Sequence, residues 1–191
     1  MNDYEQPAEA GQQQMDAHLA RQLQAMFEKL PNDIELFLFT DKNKDDVYCD
    51  AARQVVRTFR QLTDRIKLRE HSLDHKLAIK WEVTESPTLL VQPEQYNIRW
   101  IGAPMGEEAR ILLETIMLVG MGQSKLSEQS AKVMAKVDAT RRVKVFVSPT
   151  CPYCPQQAVN GVKAAIEKPE FVSLEIIDIQ CKPHIADQYE A

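Results

Sequence analysis

Cys151-Pro152-Tyr153-Cys154 sets two thiols three residues apart, between the β-forming run Val143-Lys144-Val145-Phe146-Val147 and a helical pattern with Ala158, Val162 and Ala165 on its inner side. Two cysteines so spaced at the head of a helix can close a small disulfide with little backbone movement. The first lies beside the free N–H groups and the positive end of the helix dipole, which favour thiolate. Its pKa is therefore expected below the ordinary value of about 8.5. Thiolate is the attacking species in disulfide exchange, so Cys151 reads as nucleophile and Cys154 as resolving thiol. Pro152 suits the first helical position, where no N–H is needed, and Pro155 falls in the same first turn. Metal chemistry is the rival reading. Cys181 and His184 complete a Cys3His set in zinc-ribbon order. The 26 residues between the two pairs exceed the usual spacing and hold a whole helix and strand. On the opposing reading, Cys181 is a semi-buried or surface thiol and His184 a solvated loop residue.

The elements that would position these groups follow from apolar spacing. Met15, Leu19, Leu23, Met26 and Leu30 keep helical steps until Pro31-Asn32 stops them. Ile34 to Thr40 reads as a buried strand, and Asp41 to Asp46 as a polar loop. Tyr48, Ala52, Val55, Phe59 and Leu62 predict a helix with Arg53, Arg57 and Arg60 outward. Strands are predicted at Ile66–Leu68, Thr88–Val91 and Asn97–Ile101, a short helix over Leu73–Glu82, and a longer one over Gly106–Gly120, ended by Gly120 and Gly122. The order is β-α-β-α-β-β-α after a leading helix, a mixed sheet covered by helices.

The pattern then restarts. Ser127–Lys136 bridges as a helix, Val143–Val147 answers Ile34–Phe39, and Leu174–Ile177 answers Ile66–Leu68. Cys154 stands 105 residues after Cys49, each at the head of its helix. The second copy stops at Ala191, before any counterpart of Pro87, the hairpin or the last helix. The expected divisions are a flexible leader (1–14), a first unit (15–124), a linker helix (125–142) and a second unit (143–191).

Composition narrows the functional classes. Of 191 residues, 23 are Lys or Arg and 28 Asp or Glu, a net charge of −5 that leaves no phosphate-binding footprint and argues against nucleic acid. No apolar run approaches the roughly 20 residues needed to cross a bilayer. Four unevenly placed cysteines behind an acidic N-terminus without an export signal fit thiol chemistry in the cytoplasm better than disulfide stapling.

The stretch Val145-Phe146-Val147-Ser148-Pro149-Thr150-Cys151-Pro152-Tyr153-Cys154-Pro155 resembles the active-site strand and turn of the glutaredoxin-like protein disulfide oxidoreductases, which are built from two tandem thioredoxin folds. The element order, the turn Gly102-Ala103-Pro104-Met105-Gly106-Glu107-Glu108 and the junction Lys136-Val137-Asp138 are similar to that family. They are equally similar to the N-terminal domain of the alkyl hydroperoxide reductase flavoproteins. The likeness runs over about residues 15 to 191. It implies an α/β chain of two tandem thioredoxin-like folds, the second C-terminally incomplete and expected to be a fragment of a longer protein.

The resemblance also implies roles. Cys151 and Cys154 would form the redox-active disulfide, and Glu108 matches a glutamate that lies beside the cysteines in these relatives. The competing reading of Glu108 is an exposed acid in a helix's first turn. Ser86-Pro87-Thr88 matches the cis-proline segment of the first unit, where Asp46-Val47-Tyr48-Cys49 replaces a second C-x-x-C and leaves that site redox-dead. Cys49 then reads as a small residue packed under its helix. The implied function is a dithiol–disulfide relay, with a protein-disulfide reductase activity of glutaredoxin type. Upstream would stand a flavoprotein reductase, fused or separate, carrying FAD and NAD(P)H. Downstream would stand a peroxiredoxin or other protein disulfides. No cofactor and no metal are expected in this chain itself, and a homodimer is among the expected assemblies. The alternatives are a non-catalytic docking module on the same fold and, less favoured, the Cys3His zinc protein.

Overall fold

The computed structural model describes residues 17–41 and 46–190. The leader expected over residues 1–14 and the interior of the 41–46 loop lie outside them. The elements are α1 (Ala17–Phe27), β1 (Ile34–Thr40), α2 (Val47–Leu62), β2 (Ile66–Ser72), α3 (Lys76–Lys80), β3 (Thr88–Val91), β4 (Asn97–Ile101), α4 (Glu107–Met121), α5 (Glu128–Met134), β5 (Arg141–Val147), α6 (Cys154–Glu167), β6 (Val172–Asp178) and α7 (Pro183–Gln188).

These six strands join one sheet in the order β2-β1-β3-β4-β6-β5. Within the first unit β1 pairs parallel with β2 and antiparallel with β3, and β3 pairs antiparallel with β4. The second unit repeats the parallel β5–β6 pair and joins the first through parallel pairing of β4 with β6. This is the mixed sheet that the element order predicts and the thioredoxin-like arrangement that the resemblance implies, with both halves sharing one sheet.

The strand β1 explains itself by period two. Leu36 and Leu38 enter the main core, while Phe37 and Phe39 enter a smaller cluster with Ala78, Val83 and Leu90 on the other face. A strand covered on both faces reads as a continuous apolar run. The main core does not stop at the unit boundary. It runs from Leu23 and Phe27 of α1, through Ile111 and Ile116 of α4, to Val162 and Ala165 of α6 and Leu174 and Ile176 of β6.

Three local expectations are corrected. Gly120 lies inside α4 rather than ending it, because a Cβ there would stand 2.9 Å from Ile34 Cδ1 and 3.0 Å from Leu30 Cδ1; Gly122, at φ +63°, closes the helix. The strands outrun their apolar runs: β2 continues through Arg69, Glu70 and His71, and β5 begins at Arg141, because pairing with β1 and β6 holds the polar residues. The helix α6 begins at Cys154, so Pro155 sits in its first turn and Pro152 lies in the loop before it.

Candidate active site

Cys151 and Cys154 are joined, with an S–S distance of 2.06 Å and Cα atoms 5.5 Å apart. The sequence places them there because β5 ends at Val147 and the chain turns at once, Cys151 N–H donating to Ser148 O at 3.1 Å. No side chain caps α6, so its first amide stays free for the sulfur, and Cys154 N–H donates to Cys151 Sγ at 3.2 Å. An N–H and a helix N-terminus directed at sulfur stabilise negative charge on it once the bond is opened. Tyr153 beside them is 82% exposed and Pro152 is exposed, so a partner disulfide can reach the pair.

The N-terminus of α4 is fastened to the same loop. Glu107 N–H donates to Pro149 O at 3.3 Å, and residue 106 must be glycine for the approach: its φ is +54° and a Cβ would stand 2.8 Å from Pro149 O. One residue on, Glu108 turns inward and is fully buried, which corrects the exposed-acid reading. Its Oε2 accepts the Trp100 indole N–H at 3.1 Å, and its Oε1 has no partner. Burial pushes the carboxyl up to about 8; the charge of Asp178 adds to the rise and the Trp100 hydrogen bond partly offsets it.

Asp178, which sequence reasoning passed over, ends β6 opposite Val147 and is also fully buried. Its Oδ1 accepts the N–H groups of Gln180 at 2.9 Å and Cys181 at 3.2 Å, a third backbone N–H comes from Ala103, and Oδ2 has no partner. Burial raises this carboxyl as well, opposed by those three donors. A signal was present: Leu174, Ile176 and Asp178 alternate onto one face, so the acid stands where the pattern calls for an apolar residue.

The remaining residues gather at the first unit. Ser86-Pro87 is cis, and Ser86 Oγ lies 3.3 Å from Cys49 Sγ, so Pro87 belongs to the corner of the first unit's Cys49. Cys49 is a buried free thiol, and Asp46 caps α2, its Oδ1 accepting Tyr48 N–H at 2.9 Å. The segment after β6 closes over this corner. Tyr48 Oη donates to Gln180 O at 3.3 Å, and Lys182 Nζ donates to Ser86 O at 2.6 Å and pairs with Glu85 at 3.0 Å. Cys181 is a free, half-buried thiol that burial pushes up to about 12. His184 sits in α7 rather than a loop, 3.4 Å from Glu85 Oε1. The Cys3His set is therefore not assembled, since two members form a disulfide and His184 turns to Glu85; among the described residues no group of three or more His, Cys, Asp or Glu side chains could hold a metal ion. No helix among the described residues is long and apolar enough to cross a membrane.

A thioredoxin-like fold with a C-x-x-C disulfide at the head of a helix defines the structural class. Comparison with known proteins agrees. The chain is 24% identical over 150 residues to the F subunit of alkyl hydroperoxide reductase from Escherichia coli, and 26% identical over 151 residues to the Pseudomonas aeruginosa protein of that name. Each match covers 76% of this chain, which spans only 27% and 26% of those two relatives. Among solved structures, a protein disulfide oxidoreductase from Aeropyrum pernix superimposes with a TM-score of 0.77 at 21% identity, over 90% of this chain and 78% of that one. The alkyl hydroperoxide reductase F subunit of Enterococcus faecalis gives 0.78 at 22% identity, over 91% and 84%. Likeness at these identities shows the fold. No protein-family model matches the chain.

Proposed function

We propose that the chain is a thiol–disulfide oxidoreductase that relays electron pairs through Cys151 and Cys154. The observation that carries this reading is the disulfide at the open N-terminus of α6, with Cys154 N–H directed at Cys151 Sγ. In the reduced protein, Cys151 thiolate attacks a substrate disulfide, forming a mixed disulfide and releasing one substrate thiolate. Cys154 then attacks Cys151 Sγ, which re-forms the internal disulfide and releases the second thiolate. Two electrons leave the protein and two thiols are returned to the substrate. Cys154 must lose its proton to attack and regain it when the disulfide is next reduced. Glu108, protonated at neutral pH and carried on the helix fastened to Pro149, is the group we assign to that proton.

The flavin and nicotinamide belong, on this reading, to a reductase partner, fused or separate. The sequences that precede α2 and α6, residues 41–46 and 148–153, contain no glycine, so neither carries a glycine-rich phosphate-binding motif. The names of the relatives, alkyl hydroperoxide reductase subunits and a protein disulfide oxidoreductase, support a place in peroxide reduction or protein-disulfide exchange, and the flavoprotein reductase upstream is what the sequence resemblance implies. The cytoplasm, where thiols stay reduced, is the compartment that suits this cycle.

Trapping tests the reading. Cys154→Ser should accumulate mixed disulfides with partner proteins, whereas Cys151→Ser should trap none. Equal behaviour of the two variants would refute the relay and favour the non-catalytic docking module.

A further inference from the structure

Glu108 and Asp178 come from α4 and β6, and each element adjoins the loop that carries the cysteines: Glu107 N–H donates to Pro149 O, and Asp178 stands opposite Val147, the last residue of β5 before that loop. Both are fully buried, and each keeps one carboxylate oxygen without a partner, Glu108 Oε1 and Asp178 Oδ2. The room for Asp178 is made by Gly102: at φ +120°, a Cβ there would stand 2.6 Å from Asp178 Cβ and 3.3 Å from Cys181 Cβ. Two buried carboxylates within each other's field cannot both ionise cheaply, so their donors decide which one holds the charge. Asp178 has three backbone N–H groups against one indole N–H for Glu108.

We propose that Asp178 is a positioning residue for proton transfer at the disulfide: its three backbone donors favour its anion over that of Glu108, and its charge holds Glu108 in the protonated form. The rise of the Glu108 carboxyl, in which Asp178 is the second cause after burial, agrees with this division. The other groups facing the pair do not cancel it. Cys181, in the segment after β6, stays a neutral thiol. Lys182 gives its ammonium to Glu85 and Ser86 O, and Glu107, on α4, pairs outward with Arg110. From β4 comes only the Trp100 N–H, and the sulfurs on the β5–α6 side are bonded to each other.

The consequence for exchange rests on the proposed relay, but the charge assignment does not, and the experiment separates them. The chain has two tryptophans, so the Trp100 indole N–H resonance can be followed through a pH titration of the oxidised protein as a direct report on Glu108 Oε2. It should titrate with a midpoint near 8 in the wild type. In Asp178→Asn, which keeps an acceptor for the backbone donors, the midpoint should fall by about one unit or more. An unchanged midpoint overturns the proposal. Should Asp178→Asn fail to fold, carboxyl carbon titration of the wild type decides instead: Asp178 ionised and Glu108 protonated at pH 7 supports the assignment, and the reverse overturns it. In the reduced protein, the pH profile of exchange with a small aromatic disulfide should move to lower pH in Asp178→Asn and lose that ionisation in Glu108→Gln. A profile that stays put while the Trp100 midpoint moves overturns the positioning role. Failure of the Cys154→Ser trap alongside a moved Trp100 midpoint refutes the relay and leaves the charge assignment standing.

Discussion

Replacing Glu108 by glutamine should remove a large pH dependence of stability, and its size follows from the site. The folded-state pKa is pushed up to about 8 from an ordinary value of 4.5. Between those values the native state binds a proton that the unfolded chain has released, so stability must fall as pH rises. The contribution is fully present below about 4.5 and is lost progressively up to about 8, at about 1.4 kcal/mol per pH unit. Across the window that is on the order of 4–5 kcal/mol, a large part of the roughly 5–15 kcal/mol that a domain has. The glutamine side chain would be neutral at every pH and could still accept the Trp100 N–H, so Glu108→Gln isolates the proton. Urea unfolding of the oxidised protein at half-unit steps from about pH 5 to about pH 8.5 spans the window in which the proton is lost. Wild type should lose stability steeply relative to the variant, the two curves diverging as pH rises. His71, lowered chiefly by burial, also tilts the curves, but it is common to both proteins. Parallel curves would show that Glu108 ionises in the folded state as it does in water, and would refute the reasoning.

On non-reducing gels, Cys154→Ser should run with partner proteins attached and Cys151→Ser should run alone, while Asp178→Asn should lower the Trp100 midpoint. Equilibration with thiol–disulfide buffers should place the Cys151/Cys154 couple between about −200 and −270 mV, the span from glutaredoxins to thioredoxin, and a value above about −150 mV would mark an oxidant instead. Gly106→Ala should cost about 1–3 kcal/mol in urea unfolding, since the residue sits at φ +54° with Pro149 O in the way. A neutral result there would show that α4 and the cysteine loop are not held together at that point.

What is legible in the sequence is whatever short-range chemistry decides. The C-x-x-C spacing needs only four residues and a helix start, and the disulfide is there. The order of elements, the apolar faces of α2 and α6, and the burial of Cys49 follow from periodicity, which is local information. The cis-proline before Thr88 is legible by resemblance alone. Boundaries set by partners are not: β2 runs on through Arg69 to His71 because β1 supplies the hydrogen bonds, and no property of those residues announces it. Pro152 suits the first residue of a helix by type, but the turn held by Cys151 N–H and Ser148 O places the start at Cys154.

By itself the sequence determined a mixed α/β order of elements and a cysteine pair at the head of a helix, because these depend on residue type and spacing. Only the tertiary structure decided that the two units share a sheet, that Glu108 lies inside rather than on a helix surface, and that the charge of Asp178 reaches it. The reason is that a carboxyl group's charge is set by what excludes water from it and which N–H groups reach it. Gln180 and Cys181 reach Asp178 from its own turn and Trp100 reaches Glu108 from the strand just before α4, but the Ala103 N–H and the charge of Glu108's neighbour Asp178 arrive from segments that meet only when β4 pairs with β6.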